Sequence, residues 1–146
     1  MKKILLAQGL FLLFALSLSA QVKVSKRSVK QAATVQTQLY KLNDQQVEEM
    51  VLIQEQRLTN LAAIESLRQS DYERYLQKVQ SIRRYVEQTT RRILTDQQLT
   101  IFEQQQQQRV AARQRVLREL KSRQRSPEEQ KLALLRLEEE WLKNSF

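Results

Sequence analysis

"KLNDQQVEEM" at 41–50 and "ILTDQQLTIF" at 93–102 carry one phrase twice, fifty-two positions apart. In the second copy Thr95 suits an N-cap. Its hydroxyl can accept from the backbone N–H of Gln98, while the Gln98 side chain reaches back to the Thr95 N–H, a capping box. Leu94 and Leu99 stand at the two positions of a hydrophobic staple, and Asp96 sets a negative charge against the positive end of the helix dipole. The first copy repeats the scheme with Leu42, Asn43, Asp44, Gln46 and Val47, and asparagine caps as well as threonine does. Both copies therefore read as helix starts.

Further starts extend outward from these two. Ser126, Pro127 and Glu129 open a C-terminal helix expected to run to about Leu142. Ser70 with Glu73 is a weaker start that divides 43–93 into two helices. The apolar spacing agrees, because Tyr72, Tyr75, Leu76, Val79, Ile82, Val86 and Ile93 recur at steps of three and four. Leu99, Phe102, Val110, Val116, Leu117 and Leu120 form a second stripe that Gln106, Arg109 and Arg113 interrupt. A broader arc through Val47, Met50, Val51, Ile53, Leu58, Leu61 and Ile64 is wide enough for two neighbours. The only glycine is Gly9 and the only proline is Pro127, so hairpin turns lack their usual residues and a β-fold is disfavoured. The expected class is all-α, with four to five amphipathic helices. No stripe keeps strict heptads, which argues against a continuous two-stranded coiled coil. The glutamine run at 104–108 lies in helical phase between Phe102 and Val110 and reads as solvated positions.

The first twenty residues stand apart. Lys2 and Lys3 precede an apolar run from Ile4 to Leu18 that ends in small residues at Ser17, Ser19 and Ala20, the pattern of a secretory signal peptide cleaved near Ala20. An uncleaved anchor is the rival reading, but the run is short of the roughly 20 apolar residues a spanning helix needs. The expected localisation is the periplasm. Removing Lys2 and Lys3 from the 25 basic residues leaves 23 against 16 acidic ones, a net charge of +7. The excess is concentrated in 72–125, where 13 basic residues face 5 acidic ones. Such a field attracts acidic partners. Export takes nucleic acid out of reach and leaves unfolded proteins, anionic lipid or an acidic protein surface.

Little catalytic chemistry is available. With neither histidine nor cysteine, the chain has no cysteine nucleophile, no histidine base and no ordinary zinc or copper ligand set. The clusters Glu48–Glu49, Glu128–Glu129 and Glu138–Glu140 are sequence neighbours that point in different directions around a helix. They read as solubilising or dipole-matching charges. The expectation is a protein that is not an enzyme and has no cofactor and no metal.

An exported, basic, all-helical chain with two Leu-Thr-x-x-Gln phrases resembles the Spy/CpxP family of periplasmic proteins. "LTDQQ" at 94–98 matches that motif fully, and "LNDQQ" at 42–46 places Asn43 where the family has threonine. The resemblance covers roughly residues 35–115, with Ile93 before the second motif and Phe102 after it. The helix from 127 onward lies outside it, and the methionine- and histidine-rich segments of metal-linked relatives are missing. The chain then divides into a signal peptide at 1–20, a Spy/CpxP-like domain at 21–126 with capping motifs at Leu42, Asn43, Gln46 and Leu94, Thr95, Gln98, and a C-terminal helix at 127–146. The resemblance implies a thin, curved assembly of helical hairpins, an antiparallel homodimer. It implies an ATP-independent holdase that binds unfolded or aggregation-prone envelope proteins on a basic, partly apolar surface. Candidate client contacts are Arg83, Arg84, Tyr85, Arg91, Arg92, Phe102, Arg109 and Arg113. Two alternatives stay open: a stress regulator bound to the periplasmic domain of a sensor kinase, and an adaptor on anionic envelope surfaces.

Overall fold

The computed structural model describes residues 24–144. The expected signal peptide lies outside the described residues. Every element among those residues is helical: α1 (Lys26–Tyr40), α2 (Asp44–Ile64), α3 (Leu67–Ser70), α4 (Tyr72–Ile93), α5 (Asp96–Ser122) and α6 (Pro127–Asn144). The excess over the expected four to five is the single turn of α3. Among the described residues no helix is long and apolar enough to cross a membrane.

The chain turns without glycine. Lys41 and Gln124 take left-handed backbone angles, with φ of 53° and 54°. Each lets the following N–H reach back to a carbonyl of the finished helix, Leu42 to Thr37 at 3.1 Å and Arg125 to Leu120 at 3.0 Å. This closure satisfies carbonyls that a helix end leaves open. The break near 70 falls one residue later than the sequence suggests. Asp71, not Ser70, caps α4, its carboxylate accepting from the Arg74 N–H at 3.0 Å, while the Ser70 hydroxyl donates to the Ser66 carbonyl at 3.1 Å. An anionic cap also complements the helix dipole, which a hydroxyl does not. At 126 the expected start is present as a full box: Glu129 N–H to Ser126 Oγ at 3.2 Å, and Ser126 N–H to Glu129 Oε2 at 2.8 Å.

α4 is the centre of the molecule. Its apolar stripe buries Tyr75, Leu76, Val79, Ile82 and Val86 against Met50 and Ile53 of α2, Ala33 of α1, and Leu135 and Leu142 of α6. A smaller cluster joins Tyr40, Leu94 and Phe102 where α1, the α4–α5 link and α5 meet. α1 packs on α2, α2 on α4, and α6 on both α4 and α5. α5 is different: of its 27 residues it buries Phe102 alone.

Candidate functional site

The two copies of the opening phrase meet face to face. Asn43 and Gln46 form a complete capping box, with Gln46 N–H to Asn43 Oδ1 at 2.9 Å and Asn43 N–H to Gln46 Oε1 at 3.0 Å. At the second copy Thr95 caps α5 and its N–H donates to Gln98 Oε1 at 2.9 Å. The two glutamine amides then bond each other, Gln46 Nε2 to Gln98 Oε1 at 2.7 Å and Gln98 Nε2 to Gln46 Oε1 at 3.0 Å. The second amide hydrogen of each crosses to the segment that leads into the other copy, Gln46 to the Ile93 carbonyl at 2.6 Å and Gln98 to the Lys41 carbonyl at 3.2 Å. Ile93 and Lys41 occupy equivalent places, two residues before each cap. The joint is thus a local two-fold, and both donors and both acceptor sites of each amide are used. Reversing either amide would set donor against donor, so the network determines its own orientation. The sequence reading assigned each glutamine to its own helix; it missed that they hold the two helix starts together.

A second polar centre lies beneath α6. The Glu138 side chain is 1% exposed and meets Arg113 at 2.6 Å and Arg83 at 3.6 Å. Arg83 also pairs with Glu87, and Glu87 accepts from Arg109 at 2.7 Å and Gln106 at 3.1 Å. One turn edge further on, Glu139 accepts from Arg68, from Lys143 at 2.7 Å, and from the hydroxyls of Tyr72 and Tyr75 at 3.1 and 3.2 Å. Burial works to raise the Glu139 carboxyl, but its hydrogen bonds from Lys143 and Arg68 prevail and hold it below the ordinary glutamate value. Burial pushes the Tyr75 hydroxyl up to about 12. Arg57, 4% exposed, donates to Gln54 at 2.7 Å and to the Leu142 carbonyl at 2.9 Å. That guanidinium closes the C-terminal end of α6, where the helix dipole favours a cation; burial lowers it to about 10.

These contacts correct one sequence expectation. Glu138 and Glu139 are not solvated charges of a soluble helix face but buried carboxylates, Glu138 held by Arg83 of α4 and Arg113 of α5 and Glu139 by Arg68 of α3 and the Tyr72 and Tyr75 hydroxyls of α4, because they share a helix side with Leu135 and Leu142. They do diverge, as sequence neighbours must, toward different partners. The same arrangement explains the interrupted stripe of α5: Gln106, Arg109 and Arg113 sit in its apolar sector because Glu87 and Glu138 are there to receive them. Gln105 likewise leaves the solvated class by accepting from the Tyr40 hydroxyl at 3.0 Å; burial pushes that hydroxyl up to about 12.

The eight candidate contact residues therefore separate into two groups. Arg83, Arg109 and Phe102 face inward, the arginines into the Glu87–Glu138 centre and Phe102 onto Tyr40 with ring centroids 6.3 Å apart. Arg113 is bound by Glu138 at the edge of the same centre. Arg84, Tyr85, Arg91 and Arg92 lie on the outer side of α4, exposed. Arg91 reaches Glu103 at 3.2 Å and Arg84 reaches Gln80 at 2.7 Å. Arg115, Arg118 and Lys121 add an exposed basic row on α5 that the sequence reading did not select. Their three-residue spacing was the available signal. The buried Glu138 and Glu139 were readable as acids in phase with Leu135 and Leu142, facing a stripe broken by arginines.

Comparison of the chain with protein-family models, with curated proteins and with solved structures finds no match.

Proposed function

We propose that this chain is an ATP-independent holdase-type chaperone of the periplasm, binding unfolded or aggregation-prone proteins through a basic, partly apolar surface. The observation that carries this reading is the α6 interface. The inner face of α4 and its neighbours already binds an amphipathic helix, using arginines for its carboxylates and Tyr72, Tyr75, Val79 and Ile82 beside its leucines. A surface that holds one such segment has the chemistry to hold others, and long flexible arginines suit varied partners. The exposed Arg84, Tyr85 and Arg92 with the basic row of α5 supply the long-range attraction that brings an acidic client near. The resemblance of the two Leu-Thr/Asn-x-x-Gln phrases to the Spy/CpxP motif supports the same class. The motif residues themselves take no part in binding under this reading, since their polar atoms are spent on each other.

The test is aggregation of a chemically denatured model protein, followed by light scattering without nucleotide at low and high salt. Protection is expected at equimolar chain and is expected to weaken with salt, because exposed charges are screened. Absence of protection at an equimolar ratio sinks the proposal.

A further inference from the structure

We infer that α6 is a displaceable strap, an internal stand-in for a client, and that the clients it models are acidic amphipathic helical segments. The inference rests on the holdase reading and states what regulates the site. Four observations carry it.

The framework closes without α6. The glutamine joint links the starts of α2 and α5 to the segments that lead into them, and α1 packs directly on α2 and α2 on α4. Undocking α6 opens one side of α4 and of α5, while the joint, the Tyr40–Phe102 contact and the Arg109–Glu87 pair still hold α5 to the rest.

The α6 seat is unevenly filled. A crevice of about 430 Å³ lies between its first half and α4 and α5, beside Gln80, Arg113 and Leu134. Another of about 470 Å³ lies near its end, where Trp141 faces Val35, Leu39 and Ala112. Both crevices open to solvent, so the atoms that line them lack packing partners on that side.

The charges at the interface are incompletely matched. Glu138 Oε2 and Arg83 Nε are both buried, and neither has a hydrogen-bond partner. They face each other at 3.6 Å, attracted yet too far apart to bond. Desolvated charges in this state regain hydration when the helix leaves, which offsets the loss of leucine burial.

The connection is already made for movement of a whole helix. Residues 123–126 link α5 to α6 through the left-handed turn at Gln124, and the Ser126–Glu129 box closes the start of α6 from within its own sequence. α6 therefore keeps its capped start when it is not docked. Its bound face, Leu135, Glu138, Glu139 and Leu142, describes the competitor that would replace it.

Trp141 is the only tryptophan of the chain and lies half-buried on α6, so it reports docking directly. The experiment titrates full-length protein with a tryptophan-free acidic amphipathic peptide. A parallel sample carries E73C and K131C, joined by a thiol-cleavable bifunctional linker across the exposed Lys131–Glu73 pair; the absence of native cysteine makes that labelling specific. Peptide binding is expected to shift Trp141 emission to the red. The linked form is expected to bind about tenfold more weakly, since an opening that is suppressed lowers apparent affinity in proportion, and to recover on reduction. A bound peptide with unchanged Trp141 emission, or a linked form that binds as well as the open one, overturns the strap. Aggregation assays that show no protection, while the peptide still shifts Trp141, sink the holdase reading and uphold the strap.

Discussion

Two polar centres among the described residues, the partly buried joint of the motifs and the carboxylates beneath α6, answer the same problem in opposite ways. At the joint of the two motifs the groups are neutral amides, and every donor and acceptor of Gln46 and Gln98 is used. Beneath α6 the groups are charged, and Glu138 Oε2 and Arg83 Nε go without a hydrogen bond. A satisfied neutral network costs little to bury and a great deal to break. A buried ionic one carries a desolvation cost that can exceed its own attraction, and this makes its association conditional. Polarity in a core is therefore not one property. Completeness separates a permanent joint from a docking face.

The largest effect is expected at the joint. Gln46→Ala removes the partner of the Asn43 N–H, the Ile93 carbonyl and the Gln98 amide together, and three partly buried groups left without it, at about 1 kcal/mol each, place the loss at about 3 kcal/mol. Urea unfolding should report it as a lowered midpoint for the whole chain. Adding Gln98→Ala should cost at least about 1 kcal/mol less than the sum of the single changes, because the two residues share their bonds. Additive losses would mean that the amides act separately, as helix caps alone.

Glu138→Ala should cost somewhat less, about 2 kcal/mol, since Arg113 is 41% exposed and can turn to water once its partner is gone. The contrast lies in where the loss falls. Hydrogen exchange should show α6 amides losing protection while those of α2 around Gln46 keep theirs; uniform loss would erase the distinction between the two centres.

Asn43→Ala removes one cap and leaves the Gln46–Gln98 pair in place, with an expected cost of about 1 kcal/mol. A loss as large as that of Gln46→Ala would make the cap, not the amide pair, the main element of the joint.

Acid is the gentlest lever and should act on one centre only. Glu139 is held below the ordinary glutamate value, so its ionised form is favoured in the folded state. Its contribution is fully present above the unfolded value, roughly 4.3, and is lost as pH falls through the lower folded value. A Glu139→Gln variant should therefore differ from the parent in melting temperature at neutral pH and converge with it below about pH 4. The neutral amide joint contributes nothing to that slope. A difference that persists unchanged in acid would show that the Glu139 contacts stabilise by packing and not by charge.

Much of this was written locally. Helix starts at Asn43, Thr95 and Ser126 were legible because a capping box lies within four residues of chain and needs no tertiary partner. The apolar stripe of α4 was legible because its period matches the helix, and it became the core. The all-helical class followed from both. Asp71 displaced the expected Ser70 by one position, a local competition between two capping residues settled by charge as well as hydrogen bonding.

Only the tertiary structure decided which polar groups face one another. That Gln46 bonds Gln98, that Glu138 lies under Arg83 and Arg113, and that three of the eight proposed contact residues turn inward all depend on positions brought together from distant parts of the chain. A side chain's local spacing states the face of the helix on which it lies, never what stands opposite. Arginine and glutamate have long, flexible stems that suit water or a buried partner equally well. The repeated phrase thus determined two helix starts by itself; the fold made them one joint, because each glutamine had a second pair of hydrogen-bonding positions that its own helix could not use.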